Sequence, residues 1–154
     1  IKAMKKLLLL SVSLLIAAVS FSQKIKVTVT EAQRFMKWGQ HDYLDVLTNP
    51  ESIEDKHKNI DCNYTFDLEE KTLMFSNPKH NEKLSIINSE KQGNTYVIEC
   101  ISYGNIDPSF TYHIKIYVDM DLKTMFYTKY DPYMDRSFVT PCKSTIVIQP
   151  KSNQ

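Results

Sequence analysis

The stretch Phe110-Thr-Tyr-His-Ile-Lys-Ile-Tyr-Val118 decides the fold. Apolar side chains recur at every second position from Phe110 to Val118, and polar side chains such as His113 and Lys115 stand between them. A period of two residues is typical of a β-strand that buries one face. Because antiparallel sheets commonly have one buried and one solvated face, this stretch predicts an antiparallel β protein.

The same alternation recurs along the chain from Lys24 onward. Short polar links at 67–71, 90–94 and 119–123 separate several of the runs and favour antiparallel pairs of consecutive strands. The predicted strands lie near residues 24–30, 34–38, 42–47, 60–67, 71–77, 83–90, 94–103, 110–119, 122–130 and 142–149. A meander of about 8–10 antiparallel strands predicts an all-β fold, a closed or nearly closed barrel, with a β-sandwich as the alternative.

Two segments depart from this pattern. Asn49 can cap a helix and Pro50 suits its first turn, so one short surface helix is predicted near 50–58. Between Val29 and Met36 the apolar side chains change from odd to even positions. This change predicts a bulge or a turn of helix between them.

Residues 1–22 have the layout of a secretory signal peptide. Two lysines precede an uncharged run of 17 residues that ends at Gln23, and small residues suit cleavage after Ser22. The run is just long enough to cross a bilayer, so an uncleaved anchor is the alternative. After cleavage we expect residues 23–154 to form a single β domain that is secreted or periplasmic and not stably inserted in a membrane.

Charge and glycine content argue against two classes of partner. The chain of 154 residues has 19 basic and 18 acidic side chains. Three of the lysines lie in residues 1–22, so the remainder carries 16 basic and 18 acidic groups. Such a slightly acidic domain lacks the basic surface that nucleic-acid binding needs. The chain has only three glycines, too far apart to form a phosphate-binding loop, so no nucleotide cofactor is expected.

Three cysteines remain in the predicted domain, at positions 62, 100 and 142. In an oxidising compartment they predict one disulfide. Cys100–Cys142 is the favoured pair, because Cys62 fits the apolar face of its strand as a small core residue. No C-x-x-C or H-x3-H spacing occurs, so the sequence predicts no metal site. No G-x-S-x-G motif marks a nucleophile, and we do not expect an enzyme.

In a strict meander, alternate connections meet at the same end of the barrel. The long connections 77–82, 104–109 and 131–141 then lie together, opposite the short hairpins. Long loops and barrel mouths are common binding sites. The residues at this end that we predict to bind a ligand or partner are Tyr103, Asp107, Tyr130, Asp131, Tyr133, Asp135, Arg136 and Phe138. The alternative is that these tyrosines and prolines only stiffen the loops and cover the core.

In strand count and meander order, the predicted fold resembles the lipocalin and calycin barrels. Their Gly-x-Trp signature is absent, so the resemblance is one of architecture and implies no particular ligand. We therefore expect a secreted, non-enzymatic binding module that holds a small apolar ligand or another exported protein at the long-loop end. The alternative is an exported envelope or interaction protein, an inhibitor or assembly partner, with no small-molecule ligand.

Overall fold

Eight antiparallel strands close into a barrel. The computed structural model describes residues 23–103 and 111–150, so the predicted signal segment 1–22 lies outside the described residues. The elements are, in chain order, β1 Gln23–Ala32, β2 Phe35–Trp38, α1 Tyr43–Thr48, β3 Ser52–Ile53, β4 His57–Asp67, β5 Thr72–Asn77, β6 His80–Gln92, β7 Thr95–Tyr103, β8 Thr111–Asp119, β9 Thr124–Asp131 and β10 Arg136–Pro150. Strands β4 to β10 pair in sequence order, and β1 closes the ring between β4 and β10. The prediction of an all-β antiparallel barrel is confirmed, and the sandwich alternative is wrong.

The alternating side chains of the strands form an apolar core inside the barrel. Ile116 and Val118 of β8 are buried, on the face that the alternation predicted. Ile25 of β1 lies opposite Phe66 of β4, and both are almost completely buried. Burying one such side chain contributes roughly 1.5–3 kcal/mol. The apolar interior therefore holds together strands that are distant in sequence.

Strands β1 and β2 both pair with the same long strand, β10. β1 pairs with the C-terminal half of β10, and β2 pairs with its N-terminal half. The register shifts between Val29 and Glu31, which confirms the bulge predicted from the change of apolar phase. Pro141 lies between the two halves of β10, where the pairing with β1 has ended and that with β2 has not begun. A proline is tolerated inside this strand because the ladder is interrupted on the side of β1 and β2, while the pairing with β9 continues through Pro141.

The short helix does not lie where the sequence predicted it. Residues 42–47 were predicted as a strand, but α1 occupies this part of the chain. The carboxylate of Asp42 caps the helix by accepting a hydrogen bond of 2.8 Å from the N–H of Asp45, and Val46 is buried beneath it. Among the described residues, no helix is long and apolar enough to span a bilayer.

Residues 50–58, predicted as a helix, instead contain β3 and the start of β4. The backbone N–H groups of this segment donate to residues in and just before β2 rather than to carbonyls within the segment. The N–H of Glu51 donates to the carbonyl of Met36, and the N–H of Glu54 donates to the carbonyl of Arg34, each at 2.9 Å. Pairing with β2 thus outweighs the local helix signals.

Two connections predicted to be long are short turns. Residues 78–79 join β5 to β6, and residues 132–135 join β9 to β10. Most of 131–141 is extended, because the N-terminal half of β10 has a strand on each side, β9 and β2. The third predicted long connection, 104–109, lies outside the described residues.

The three cysteines are free thiols, so the predicted Cys100–Cys142 disulfide is absent. Cys100 lies on β7 and Cys142 on β10, with β8 and β9 between them. Burial raises the pKa of each of these two thiols to about 12. They are therefore packed in the interior as neutral, unreactive groups.

Candidate functional site

A cavity of about 360 Å³ opens at the end of the barrel where residues 78–79 and 132–135 connect the strands. We call this end the cavity end. Its volume lies within the range of about 300–1,000 Å³ that is usual for ligand pockets. The cavity is at the end of the barrel where the sequence predicted binding, although the connections there are shorter than predicted.

The floor of the cavity is apolar. It is formed by the buried side chains of Leu73, Leu84 and Ile116 and by the half-buried side chain of Ile114. Tyr127 lies opposite Ile116 on the neighbouring strand, and burial raises the pKa of its hydroxyl. Tyr127 is therefore a neutral hydrogen-bonding group beside an apolar surface.

Asp131 and Arg136 face each other at the mouth of the cavity. The Oδ2 atom of Asp131 accepts a hydrogen bond of 3.3 Å from Nε of Arg136. Its Oδ1 atom accepts hydrogen bonds from the backbone N–H groups of Tyr133 and Met134, at 3.0 and 3.2 Å. Only 5% of Asp131 is exposed. This one carboxylate thus both closes the turn and orients the arginine.

Phe138 is the aromatic centre of the mouth. The guanidinium carbons of Arg34 and Arg136 lie 4.8 and 4.9 Å from the centroid of its ring. A guanidinium at this distance from a ring face is attracted by the ring quadrupole. Arg34 also donates to the carboxylate of Glu54. Phe138 therefore holds two cationic side chains beside the opening.

Lys129 projects into the same space from β9. Its Nζ atom lies 3.9 Å from the centroid of the Tyr112 ring. Burial lowers the pKa of Lys129, Asp131 raises it, and the positive charges of Arg34 and Arg136 lower it further. The mouth thus brings a half-buried ammonium close to two guanidinium groups.

Three of the predicted binding residues line the cavity: Asp131, Arg136 and Phe138. Tyr133 lies in the turn next to it, with its ring edge-on to the ring of Tyr112 at 5.9 Å between centroids. These residues come together because β9 and β10 pair on either side of the 132–135 turn, and side chains directly opposite each other point to the same face of the sheet.

The other predicted residues lie elsewhere. Tyr130 is on the outer face of β9, where its hydroxyl donates a hydrogen bond of 2.7 Å to Asp135. Tyr103 ends β7, and Asp107 lies outside the described residues. Tyr130 and Asp135 therefore stabilise the turn from the outside rather than line the cavity.

The sequence reasoning missed Arg34, Tyr112, Tyr127 and Lys129 as cavity residues. A signal for three of them was present. Tyr112 is on the apolar face of the 110–118 alternation, and counting in steps of two from the apolar Met125 places residues 127, 129 and 131 on the inner face of β9. Arg34 gave no such signal, because it lies in the break between β1 and β2.

No model of a known protein family matches the chain, and no curated protein matches it. Among residues 23–103 and 111–150, no three His, Cys, Asp or Glu side chains are grouped closely enough to hold a metal ion. Any functional proposal therefore rests on the shape and chemistry of the cavity.

Proposed function

We propose that the protein is a secreted or periplasmic, non-enzymatic binding module that takes a small apolar ligand into the cavity end of the barrel. The observation that carries the proposal is a cavity of about 360 Å³ with a floor of Leu73, Leu84 and Ile114. Moving apolar ligand surface from water onto such a floor contributes roughly 25 cal/mol per Å². Entry through one end of the barrel would be a lipocalin-like mode of binding.

The side chains around the cavity support the same proposal. Ile114, Tyr112 and Tyr127 are half-buried, although they lie on the inner face of the barrel and line the cavity. An apolar ligand would replace water against these surfaces. The closed ring of strands keeps the floor in place without a ligand, so little ordering is needed on binding.

A cavity-filling substitution tests the proposal. Ile114→Trp should fill the space above the floor and weaken binding of the neutral fluorescent probe N-phenyl-1-naphthylamine by about tenfold or more. The matched control is Ile87→Trp, because Ile87 is the bulged residue of β6 and is 47% exposed. Fluorescence titration measures both variants and the unchanged protein. If the unchanged protein does not bind the probe, or if Ile114→Trp binds it equally well, the proposal is wrong.

Exposed apolar side chains favour a second candidate, an exported envelope or interaction protein such as an inhibitor or assembly partner. Trp38 of β2, Leu44 of α1 and Met134 of the β9–β10 turn are each at least half exposed. Their elements adjoin. β2 pairs with β10, and the N–H of Gly39 donates to the carbonyl of Asp135. The N–H of His41, just before α1, donates to the hydroxyl of Ser137 in β10. Apolar groups gathered on one surface are typical of an interaction site.

Photo-crosslinking in the host cell tests this second candidate. A photoreactive residue at position 38 should form a discrete crosslinked product with another exported protein. Leu122 is 73% exposed and lies in the β8–β9 turn at the opposite end of the barrel, so it is the control position. Equal crosslinking at both positions, or none at position 38, would argue against a specific partner.

A further inference from the structure

The two acids at the mouth of the cavity are already engaged by other groups. Asp131 accepts hydrogen bonds from Arg136 and from the backbone of its turn. Glu82 accepts a hydrogen bond of 3.3 Å from the hydroxyl of Ser102 and lies 3.6 Å from Nε2 of His80. Neither carboxylate is within ion-pair distance of Lys129.

Lys129 has no carboxylate partner within residues 23–103 and 111–150: no carboxylate oxygen there lies within 4.0 Å of its Nζ. Its described contact is the face of the Tyr112 ring. A half-buried ammonium without a counter-ion is unfavourable, because it loses hydration without gaining an ion pair. The side chain is thus in a position where an incoming anion would stabilise it.

The two guanidinium groups near Lys129 already have acidic partners. Arg34 and Arg136 both lie over the ring of Phe138. Arg34 is ion-paired with Glu54, and Arg136 with Asp131. Lys129 is therefore the cation of the cavity lining for which an incoming anion would supply the ion pair.

We propose that the ligand is an anionic amphiphile, with a carboxylate-type head group against the ammonium of Lys129 and an apolar body on the floor of Leu73, Leu84 and Ile114. This inference rests on the proposed function and adds the chemical class of the ligand. The head group would take the place of the missing counter-ion, and the tail would cover the half-buried apolar side chains. Charge-assisted hydrogen bonds from an ammonium to a carboxylate are among the stronger polar contacts in proteins.

Competition between three ligands of equal chain length tests the proposal. Octanoate, octanol and octylammonium displace N-phenyl-1-naphthylamine from the full protein, and the fluorescence gives the apparent Kd of each. Octanoate should bind about tenfold more tightly than octanol, and octylammonium more weakly than both. If the probe binds and octanoate is no better than octanol, the ligand class is wrong while the proposed function stands. If the probe itself does not bind, the proposed function fails, and this inference fails with it.

Variants of Lys129 separate charge from packing. Lys129→Met should abolish the preference for octanoate over octanol, whereas Lys129→Arg should keep the preference. Lys83→Met is the matched control, because Lys83 is exposed on the outer face of β6 and should bind all ligands normally. Thermal melting establishes that each variant is folded. An unchanged preference in Lys129→Met would overturn the assignment of the head group to this residue.

The pH dependence gives an independent readout. Asp131, Glu82, Arg34 and Arg136 are the charged groups that line the cavity with Lys129, and together with burial they leave its pKa below the usual range for lysine. Only the protonated ammonium attracts octanoate, so the affinity should fall as the pH rises, and the fall should begin below the usual lysine pKa of 10.5. The guanidinium of Lys129→Arg stays charged, and its octanoate affinity should stay level. The same fall in both proteins would contradict the proposal.

Discussion

The two ends of the barrel have the same strands and different interiors. At the closed end, where residues 68–71, 93–94 and 120–123 connect the strands, Phe66, Ile98 and Val118 are fully buried. Leu68, Tyr96 and Met120 pack against this core as a cover. At the cavity end, the corresponding inner positions of β9 and β10 carry Lys129, Asp131 and Arg136.

This difference shows how one regular scaffold supplies both stability and a site. Apolar inner side chains of matching size fill the closed end and exclude water. Charged side chains at the inner positions of the cavity end cannot pack in this way, because each must keep a partner or some contact with solvent. The charged side chains thus leave a cavity, and the floor of this cavity is the apolar core of the closed half of the barrel.

The largest expected difference is in the free energy of unfolding that is lost when a phenylalanine at each end of the barrel is replaced by alanine. Phe66→Ala removes a fully buried ring and should lower the free energy of unfolding by about 3–5 kcal/mol. Phe75→Ala removes a half-buried ring that lines the cavity and should cost only about 1–2 kcal/mol. Urea unfolding measures both. Equal losses would mean that the two ends are packed alike.

A smaller difference in the free energy of unfolding is expected between alanine substitutions of two aspartates, each of which accepts hydrogen bonds from the backbone of a turn. Oδ1 of Asp119 accepts from the N–H groups of Asp121 and Leu122 at the closed end, as Asp131 accepts from its own turn at the cavity end. Asp119→Ala should therefore cost about 1 kcal/mol. Asp131→Ala should cost about 2–3 kcal/mol, because it also deprives Arg136 of its counter-ion.

Urea unfolding at low and high salt checks this pair of aspartate variants. Since salt screens the cations that Asp131→Ala leaves unopposed, its cost should shrink at high salt, while that of Asp119→Ala should not change. A salt effect of the same size in both variants would show that the charge cluster at the cavity end does not distinguish the two turns.

The smallest effect concerns backbone strain in the same two turns. Lys123 at the closed end and Asp135 at the cavity end have positive φ angles of 51° and 49°. Lys123→Gly should raise the free energy of unfolding by about 0.5–1 kcal/mol, since glycine adopts this conformation without strain. Asp135→Gly should gain less, because it loses the hydrogen bond from Tyr130. Thermal melting ranks the two, and a larger gain for Asp135→Gly would contradict this account.

Much of the fold could be predicted because the strand signal is local. Residues that alternate in sequence alternate in space, so the runs around Tyr64, Leu73 and Ile116 were correctly predicted to be strands. The bulge between Val29 and Glu31 was also visible, because one extra residue reverses the phase of every later side chain.

Apart from the helix at 43–48, the errors share one cause, which is pairing with distant partners. Residues 50–58 carry local helix signals but are held extended by β2, and 131–141 looks like a loop but is paired by β2 and β9. The Cys100–Cys142 disulfide was inferred without knowledge of how far apart β7 and β10 lie in the ring. None of these contacts is encoded in the residues of the segment itself.

The candidate site was predicted in part for the same reason. Asp131, Arg136 and Phe138 are close in sequence to one turn, so reasoning about that turn found them. Lys129 could have been found by extending the alternation of β9. Arg34 and Tyr112 reach the same cavity from β1–β2 and β8, and only the closure of the barrel brings them there.

The sequence by itself determined that this is an antiparallel β protein and which side chains of most strands face inward, because a two-residue period follows from the geometry of an extended chain. Only the tertiary structure decided that Ile25 pairs with Ile148 to close the ring, and that Arg34, Lys129 and Arg136 meet at one opening. These contacts join residues more than a hundred positions apart in the first case, and three separate parts of the chain in the second: the β1–β2 connection, β9 and β10. They arise from the packing of the whole barrel, which no local pattern records.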